Sequence, residues 1–265
     1  MKRIVLMFFV VLGIIPPAFS QDASASSRDA GAIVGASRNR IEAATVSTRV
    51  RMVTTAKDGS TREQLLDQYS KDDASGRSRA VIVFQRPPGV RGTRFLTLEN
   101  AGRGNDQWIF LPSLGKVRRI ASSEGSDSFM GTDFSYDDIS SASRDADLDT
   151  HSLVREETYN GRACYVIESK PKDPSYQYSR MVQWIDKDSK ISYKLELYNR
   201  RNAPVKTVEM SDIRDVQGRP TVHVTRMTSL AERTSTTLFV DIIKYDDPIP
   251  ESVFTTNYLE TGKTR

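Results

Sequence analysis

Cysteine and histidine are nearly absent. Of 265 residues, one is cysteine (Cys164) and two are histidine (His151 and His223). A single cysteine excludes an intramolecular disulfide, so the fold must be held by its core. Cys164 alternates with Val166 in an apolar strand pattern and reads as a small buried hydrophobe, not a reactive thiol. A zinc site of common composition needs three or four His, Cys or carboxylate ligands, and none occurs here at that spacing. Nucleophile elbows, H-E-x-x-H pairs, Walker loops and dinucleotide fingerprints are missing too. Gly102 and Gly104 form a G-x-G, but it lies in a loop between two strand segments. Beyond the N-terminus no stretch approaches the ~18 apolar residues of a membrane span. Charge of one sign is also lacking: 38 Lys and Arg stand against 34 Asp and Glu, spread through both halves, which does not point to nucleic acid.

What is present begins with an export signal. Lys2 and Arg3 precede an apolar run from Ile4 to Ile15. Pro16 and Pro17 break it, and Ala18-Phe19-Ser20 places small residues at −3 and −1 of a cut before Gln21. This is the pattern of a secretory signal peptide over residues 1–20, with an apolar core too short for a comfortable anchor. No cysteine follows the run, so lipid anchoring by the bacterial lipoprotein route is not expected. The mature chain is expected in the periplasm, with 245 residues and a net charge of +2 once Lys2 and Arg3 leave. After a lead-in over 21–27, residues 28–265 contain no linker rich enough in Pro, Gly or Ser to split them and read as one domain.

From Arg28 to Ala44, Ile33, Val34, Ile41 and Ala44 recur at roughly helical spacing, which predicts one amphipathic helix capped by Ser27 or Asp29. The period then changes to two. Val46, Thr48, Val50 and Met52 alternate with polar residues, and Asp58-Gly59 supplies a hairpin turn. Further strands are predicted over 62–69, 79–85, 93–99, 107–111, 116–121, 152–159, 163–170, 180–186, 192–200, 205–216, 220–230 and 235–245. Turn signals such as Asn160-Gly161 and Gln217-Gly218 separate them. In the clearest alternation, Ile191, Tyr193, Leu195 and Leu197 oppose Ser192, Lys194 and Glu196, as in an antiparallel sheet covered on one side. Around a dozen strands with few helices predict a mainly β barrel, half-barrel or large sandwich.

One interval, Ser122 to Thr150, lacks a strand pattern yet carries Phe129, Met130, Phe134, Tyr136 and Ile139. Long insertions of this kind are usually functional or disordered, and the aromatics argue for order. A helix over about Asp133–Ile139, lying as a lid on the sheet, would give them a place to sit. Asp145, Asp147, Asp149 and Glu156 have calcium-loop spacing, but Thr150 stands where glycine is needed, so a solvated acidic loop is expected. Asp137 and Asp138 lack an activating partner and read as helix-surface residues. His223 reads as an exposed strand residue. Lys116, Arg118 and Arg119 form a basic cluster beside the lid: either a solvated strand edge that discourages aggregation or a docking surface for an acidic partner or anionic headgroups.

Taken together, Thr93–Leu96, Asp106–Pro112, Lys116–Ile120 and Ser128–Asp138, with the closing Pro248–Phe254, resemble the bacterial outer membrane lipoprotein-sorting family, whose fold is similar to the LolA and LolB carriers. The segment Phe129-Met130-Gly131-Thr132-Asp133-Phe134 is its most specific element. The resemblance implies an incomplete, strongly curved antiparallel barrel wrapped around helices, with an apolar cavity under a lid. It implies a non-enzymatic periplasmic carrier of acyl chains, on lipids or lipoproteins, in transient contact with membranes and working with an RND-type inner-membrane transporter. No cofactor, metal or nucleic acid is implied, and a monomer is expected. Alternation places Phe95, Trp108, Phe110, Tyr193, Leu195 and Leu197 on the cavity wall and Phe129, Met130, Phe134 and Tyr136 on the lid. Trp108 and Phe110 could instead point outward, and each of these residues could be plain core. The alternative is a transporter-docking accessory without cargo, acting through Lys116, Arg118 and Arg119.

Overall fold

The computed structural model describes residues 23–140, 144 and 146–264. Residues 1–20, expected to be a signal peptide, and Asp145 of the expected acidic loop lie outside them. Helix α1 spans Ala23–Arg38. Strands β1 (Thr45–Thr55), β2 (Thr61–Asp72), β3 (Ser78–Arg86), β4 (Arg94–Leu98), β5 (Asp106–Leu111) and β6 (Lys116–Arg119) follow. The short helix α2 is Tyr136–Ser140. Next come β7 (Asp149–Tyr159), β8 (Arg162–Pro171), β9 (Arg180–Asp186), β10 (Ser192–Tyr198), β11 (Pro204–Val216), β12 (Arg219–Ser229) and β13 (Thr234–Tyr245), and helix α3 is Thr256–Thr261. Each strand segment expected from alternation is present, with ends within three residues.

All thirteen strands form one antiparallel sheet in the order β6-β5-β4-β3-β2-β1-β13-β12-β11-β10-β9-β8-β7. The chain starts in the middle and meanders outward to β6. It then jumps to the opposite edge and meanders back until β13 pairs with β1. The barrel therefore stays open between β6 and β7, and residues 120–148 have to cross from one edge to the other. The position of the long insertion follows from the topology.

Two-residue turns close β7–β8 and β11–β12. Asn160 and Gly161 have φ of 48° and 79°, and Gln217 and Gly218 have 53° and 79°. Positive φ at both central residues matches the right-handed twist of the strands they join. Register shifts at Arg49/Val50 and at Leu153/Arg155 add local bends.

The inner face of β1–β5 contributes Val50, Met52, Leu66, Ile82, Phe84, Phe95 and Ile109, which pack on Ile120, Phe129 and Tyr136 of the crossing segment. The inner face of β10–β12 contributes Leu197, Val208 and Met227 around Phe134 and Tyr178. Ala30 and Val34 of α1 cover Ile167 and Ile185 farther along the same side. The outer face of β3 and β4 is covered by the C-terminal segment through Val253, Phe254 and Leu259. Cys164 is fully buried on the outer face of β8 beside Val166 and Trp184, where burial raises its thiol pKa.

Two helices differ from their predicted bounds. The first begins at Ala23, so the expected lead-in from residue 23 on and both expected caps, Ser27 and Asp29, lie within it; it ends at Arg38, not Ala44, because the following segment is captured by the sheet. Arg40 Nη1 donates to Pro220 O at 2.7 Å, and Ala44 N donates to Asp246 Oδ1 at 2.7 Å. The second begins at Tyr136, not Asp133, because residues 128–135 are taken up by a tight turn.

Candidate functional site

The crossing segment is built around that turn. Ser128 and Ser135 bridge, and Phe129 N donates to Phe134 O at 2.8 Å. At its tip Met130 and Gly131 have φ of 52° and 73°. Arg62 of β2 donates to both their carbonyls, at 3.0 and 2.8 Å. A Cβ on Gly131 would stand 3.0 Å from the same Arg62 nitrogen, so glycine meets both the conformation and the close approach. Phe129 and Phe134, flanking the turn, then point into different halves of the sheet: Phe129 among β1–β5 and Phe134 among β10–β12. Phe129 is fully buried, with Phe84, Phe95 and Tyr136 ring centroids 5.8, 5.2 and 5.6 Å away.

Two carboxylates fasten the segment. Asp133 accepts from Thr236 Oγ1 at 2.6 Å and from the Thr234 hydroxyl, tying the turn to β13. Asp138 closes a capping box on α2: Ser135 N donates to its carboxylate at 2.8 Å and Asp138 N donates to Ser135 Oγ at 3.0 Å. The same carboxylate accepts from Lys206 Nζ at 2.8 Å and Tyr178 Oη at 2.9 Å, although its side chain is only 5% exposed. Burial, reinforced by Asp138, drives the Tyr178 pKa far above its ordinary value. Asp138 is thus a buried latch, not the helix-surface residue expected. Its neighbour Asp137 sits against Gly125, where burial and then the Asp138 charge raise its pKa.

The structure brings most of the expected apolar residues together and separates others. Phe95, Phe129 and Tyr136 share one inner cluster, with Met130 packed against it. Leu195 and Leu197 share the other with Phe134. Trp108 and Phe110 are corrected: the β4–β5 register pairs Leu96 with Trp108, and both residues lie on the outer face under the C-terminal segment. In β5 the inward positions belong to Gln107 and Ile109. Tyr193 joins neither cluster and lies under the Arg162 guanidinium, 4.3 Å from its ring centre. His223, expected outside, is buried, its Nδ1 3.1 Å from Thr221 O. Arg118 pairs with Glu124 at 2.5 Å and Arg119 with Asp106, leaving Lys116 exposed on the four-residue edge strand. Asp149 is claimed by Arg144 at 2.8 Å with no exposure of its side chain, and no metal-binding cluster occurs among the described residues.

The inward aromatics and leucines pack against the crossing segment, and open space flanks it. One cavity of about 760 Å³ lies between α1 with residues 39–43 and the inner face of β1–β4. Its sheet wall is mixed: Val46, Ala80, Ile82 and Phe95 are apolar, Gln68, Ser70, Asp72, Ser78 and Thr97 are polar, and Ile139 closes one side. A second, larger cleft of about 1480 Å³ occupies the open mouth between the β4–β5 loop and β6 on one side and the β8–β9 and β10–β11 loops on the other. The two adjoin at Ser140 and Arg144, which line both. Sequence reasoning missed the latch partners Tyr178 and Lys206 and the mouth. The signal at hand was the pair of tyrosines, Tyr176 and Tyr178, in a polar loop.

This architecture, an open antiparallel sheet with a strap across its inner face, is the LolA-like fold. A domain classed with the outer membrane lipoprotein-sorting proteins, from Vibrio parahaemolyticus, matches with a TM-score of 0.83 and 26% identity, covering 88% of this chain and 99% of that one. A DUF1329-family protein from Desulfovibrio piger matches with a TM-score of 0.83 and 27% identity over the same shares. A LolA-superfamily protein from Nitrosomonas europaea shares the fold with a TM-score of 0.65 and 20% identity, covering 89% of this chain and 98% of its own. The chain belongs to the family whose model, described as "uncharacterized protein", matches residues 76–261. No curated protein matches it significantly.

Proposed function

We propose that the chain is a carrier of the bacterial envelope that shelters an acyl chain while its bearer moves between membranes. The observation that carries this reading is the 760 Å³ cavity on the inner face. Its size falls within the ~300–1,000 Å³ usual for small-molecule sites. Val46, Ala80, Ile82, Phe95 and Ile139 give it an apolar strip within an otherwise polar lining, along which a hydrocarbon chain would lie. Each methylene buried there would contribute about 0.8 kcal/mol without any catalytic group. The aromatics of the crossing segment act as the fixed plug beside which cargo lies, not as the surface that grips it. The lipoprotein-sorting classification of the Vibrio parahaemolyticus domain supports the same class of cargo.

The N-terminal pattern of Lys2, Arg3 and the apolar run supports export, and so a periplasmic place of action, on this reading. An RND-type inner-membrane transporter is the proposed partner. Mass spectrometry of organic extracts from gently purified protein tests the central point: acyl lipid or lipoprotein should co-purify in defined stoichiometry, and its absence after expression in an envelope-forming host would count against the carrier.

A further inference from the structure

The mouth cleft has a charge pattern that the acyl-chain reading does not need. Arg103, Arg119, Arg144, Lys172, Arg200 and Arg201, from five separate segments, all line it. The carboxylates lining it are Asp106, Asp137 and Asp173. Asp106 is shared by two of the cations, Arg103 and Arg119. Asp173 is occupied by the backbone and hydroxyl of Ser175, both at 2.7 Å. Arg144 is held by Asp149. Lys172 and Arg200 donate to backbone carbonyls of Asp147 and Ser175, and no ion pair with a carboxylate is formed by Lys172, Arg200 or Arg201 among the described residues, although Arg200 is near enough to Asp173 to help lower its pKa. Cations with one partner carboxylate between two, or none, keep donors for an incoming anion.

Behind them lies an acceptor. Gln107 is 5% exposed; its amide nitrogen donates to Ser140 Oγ at 3.2 Å, and its carbonyl oxygen is buried with no hydrogen-bond partner among the described residues. A buried unpartnered acceptor costs free energy until a donor reaches it. A phosphate ester would take up the donors that these cations keep free. Ser140 and Arg144 form the wall shared with the inner-face cavity, so one molecule can reach into both spaces.

We infer that the mouth cleft receives the phosphate-bearing headgroup of an anionic lipid whose chain lies in the adjoining cavity. The chain's place rests on the carrier reading; the headgroup's place rests on the cleft.

The test uses the mature full-length chain with vesicles of phosphatidylglycerol or phosphatidylcholine of identical acyl composition, measuring lipid taken up per protein. Wild type should favour phosphatidylglycerol by about tenfold or more, given the pull of several unpaired cations. The double variant Arg200→Glu with Arg201→Glu, at exposed loop positions, should lose that ratio, whereas Lys57→Glu, a charge reversal in the remote β1–β2 turn, should keep it. Equal uptake of both lipids by wild type, or a ratio unmoved by the double variant, would overturn the headgroup site and leave the carrier standing. No uptake of either lipid would instead remove the carrier itself. Inorganic phosphate binding as tightly as phosphatidylglycerol would overturn the lipid assignment in favour of a free-anion site.

Discussion

Replacing Asp138 by alanine should be among the most damaging changes available at a polar position. Its carboxylate is 5% exposed and Lys206, 2.8 Å away, is 17% exposed. Removing it strands that ammonium and the Tyr178 hydroxyl, and it opens the capping box of α2. Breaking a buried ion pair from one side costs roughly 3–5 kcal/mol, because the surviving charge stays desolvated. Lys206→Met should cost less, since Asp138 keeps donors from Ser135 N, Tyr178 Oη and Gln177 Nε2. The double variant Asp138→Leu with Lys206→Met, which removes both charges together, should recover much of the loss. Urea unfolding of the three variants measures these differences, and limited proteolysis reports whether residues 120–140 loosen first. An Asp138→Ala cost below about 1 kcal/mol, the value of an exposed surface pair, would refute the latch.

Other consequences follow from the same packing. Phe129→Ala should cost about 3–5 kcal/mol in urea unfolding, since a fully buried ring with three aromatic neighbours leaves a cavity. Asp137→Asn should unfold at higher urea than wild type at pH 7. A carboxyl whose folded pKa is raised by burial loses stability as pH rises from its unfolded value towards its folded one, so the advantage of the amide should vanish below about pH 4. Burial lowers the pKa of His151, which contacts Ser169 Oγ at 2.7 Å and Ala146 O at 3.1 Å. Its neutral form therefore stabilises the fold above about pH 6.5, a contribution lost as pH falls through the lowered folded value; His151→Gln should flatten that part of a stability profile.

The sheet was legible because its signal is local. Alternation in stretches such as Ile191–Leu197 declares a face pair, and Asn160-Gly161 or Gln217-Gly218 declares a turn, without reference to the rest of the chain. Which face is inner is not local. In β5 both faces carry bulk: Gln107 and Ile109 on one, Trp108 and Phe110 on the other. The larger aromatics went outward because the C-terminal segment around Val253, Phe254 and Leu259 supplies a second core there, more than 130 residues away in sequence. The crossing segment announced itself through aromatics in a strandless interval. Its fastening did not, since Asp138 meets Lys206 and Tyr178 only after the sheet has curved. The basic mouth escaped for the same reason: its cations are scattered from Arg103 to Arg201, and no run of charge marks them.

A carrier of acyl chains requires that the cavity beside α1 accept hydrocarbon. Uptake of a fluorescent long-chain fatty acid by the mature chain, compared with an Ala80→Phe variant that fills the sheet wall of that cavity, tests it directly. Wild type should bind saturably with one chain per protein, and the filled variant, folded by circular dichroism, should bind at least tenfold more weakly. Equal binding by both, or none by wild type, would contradict it.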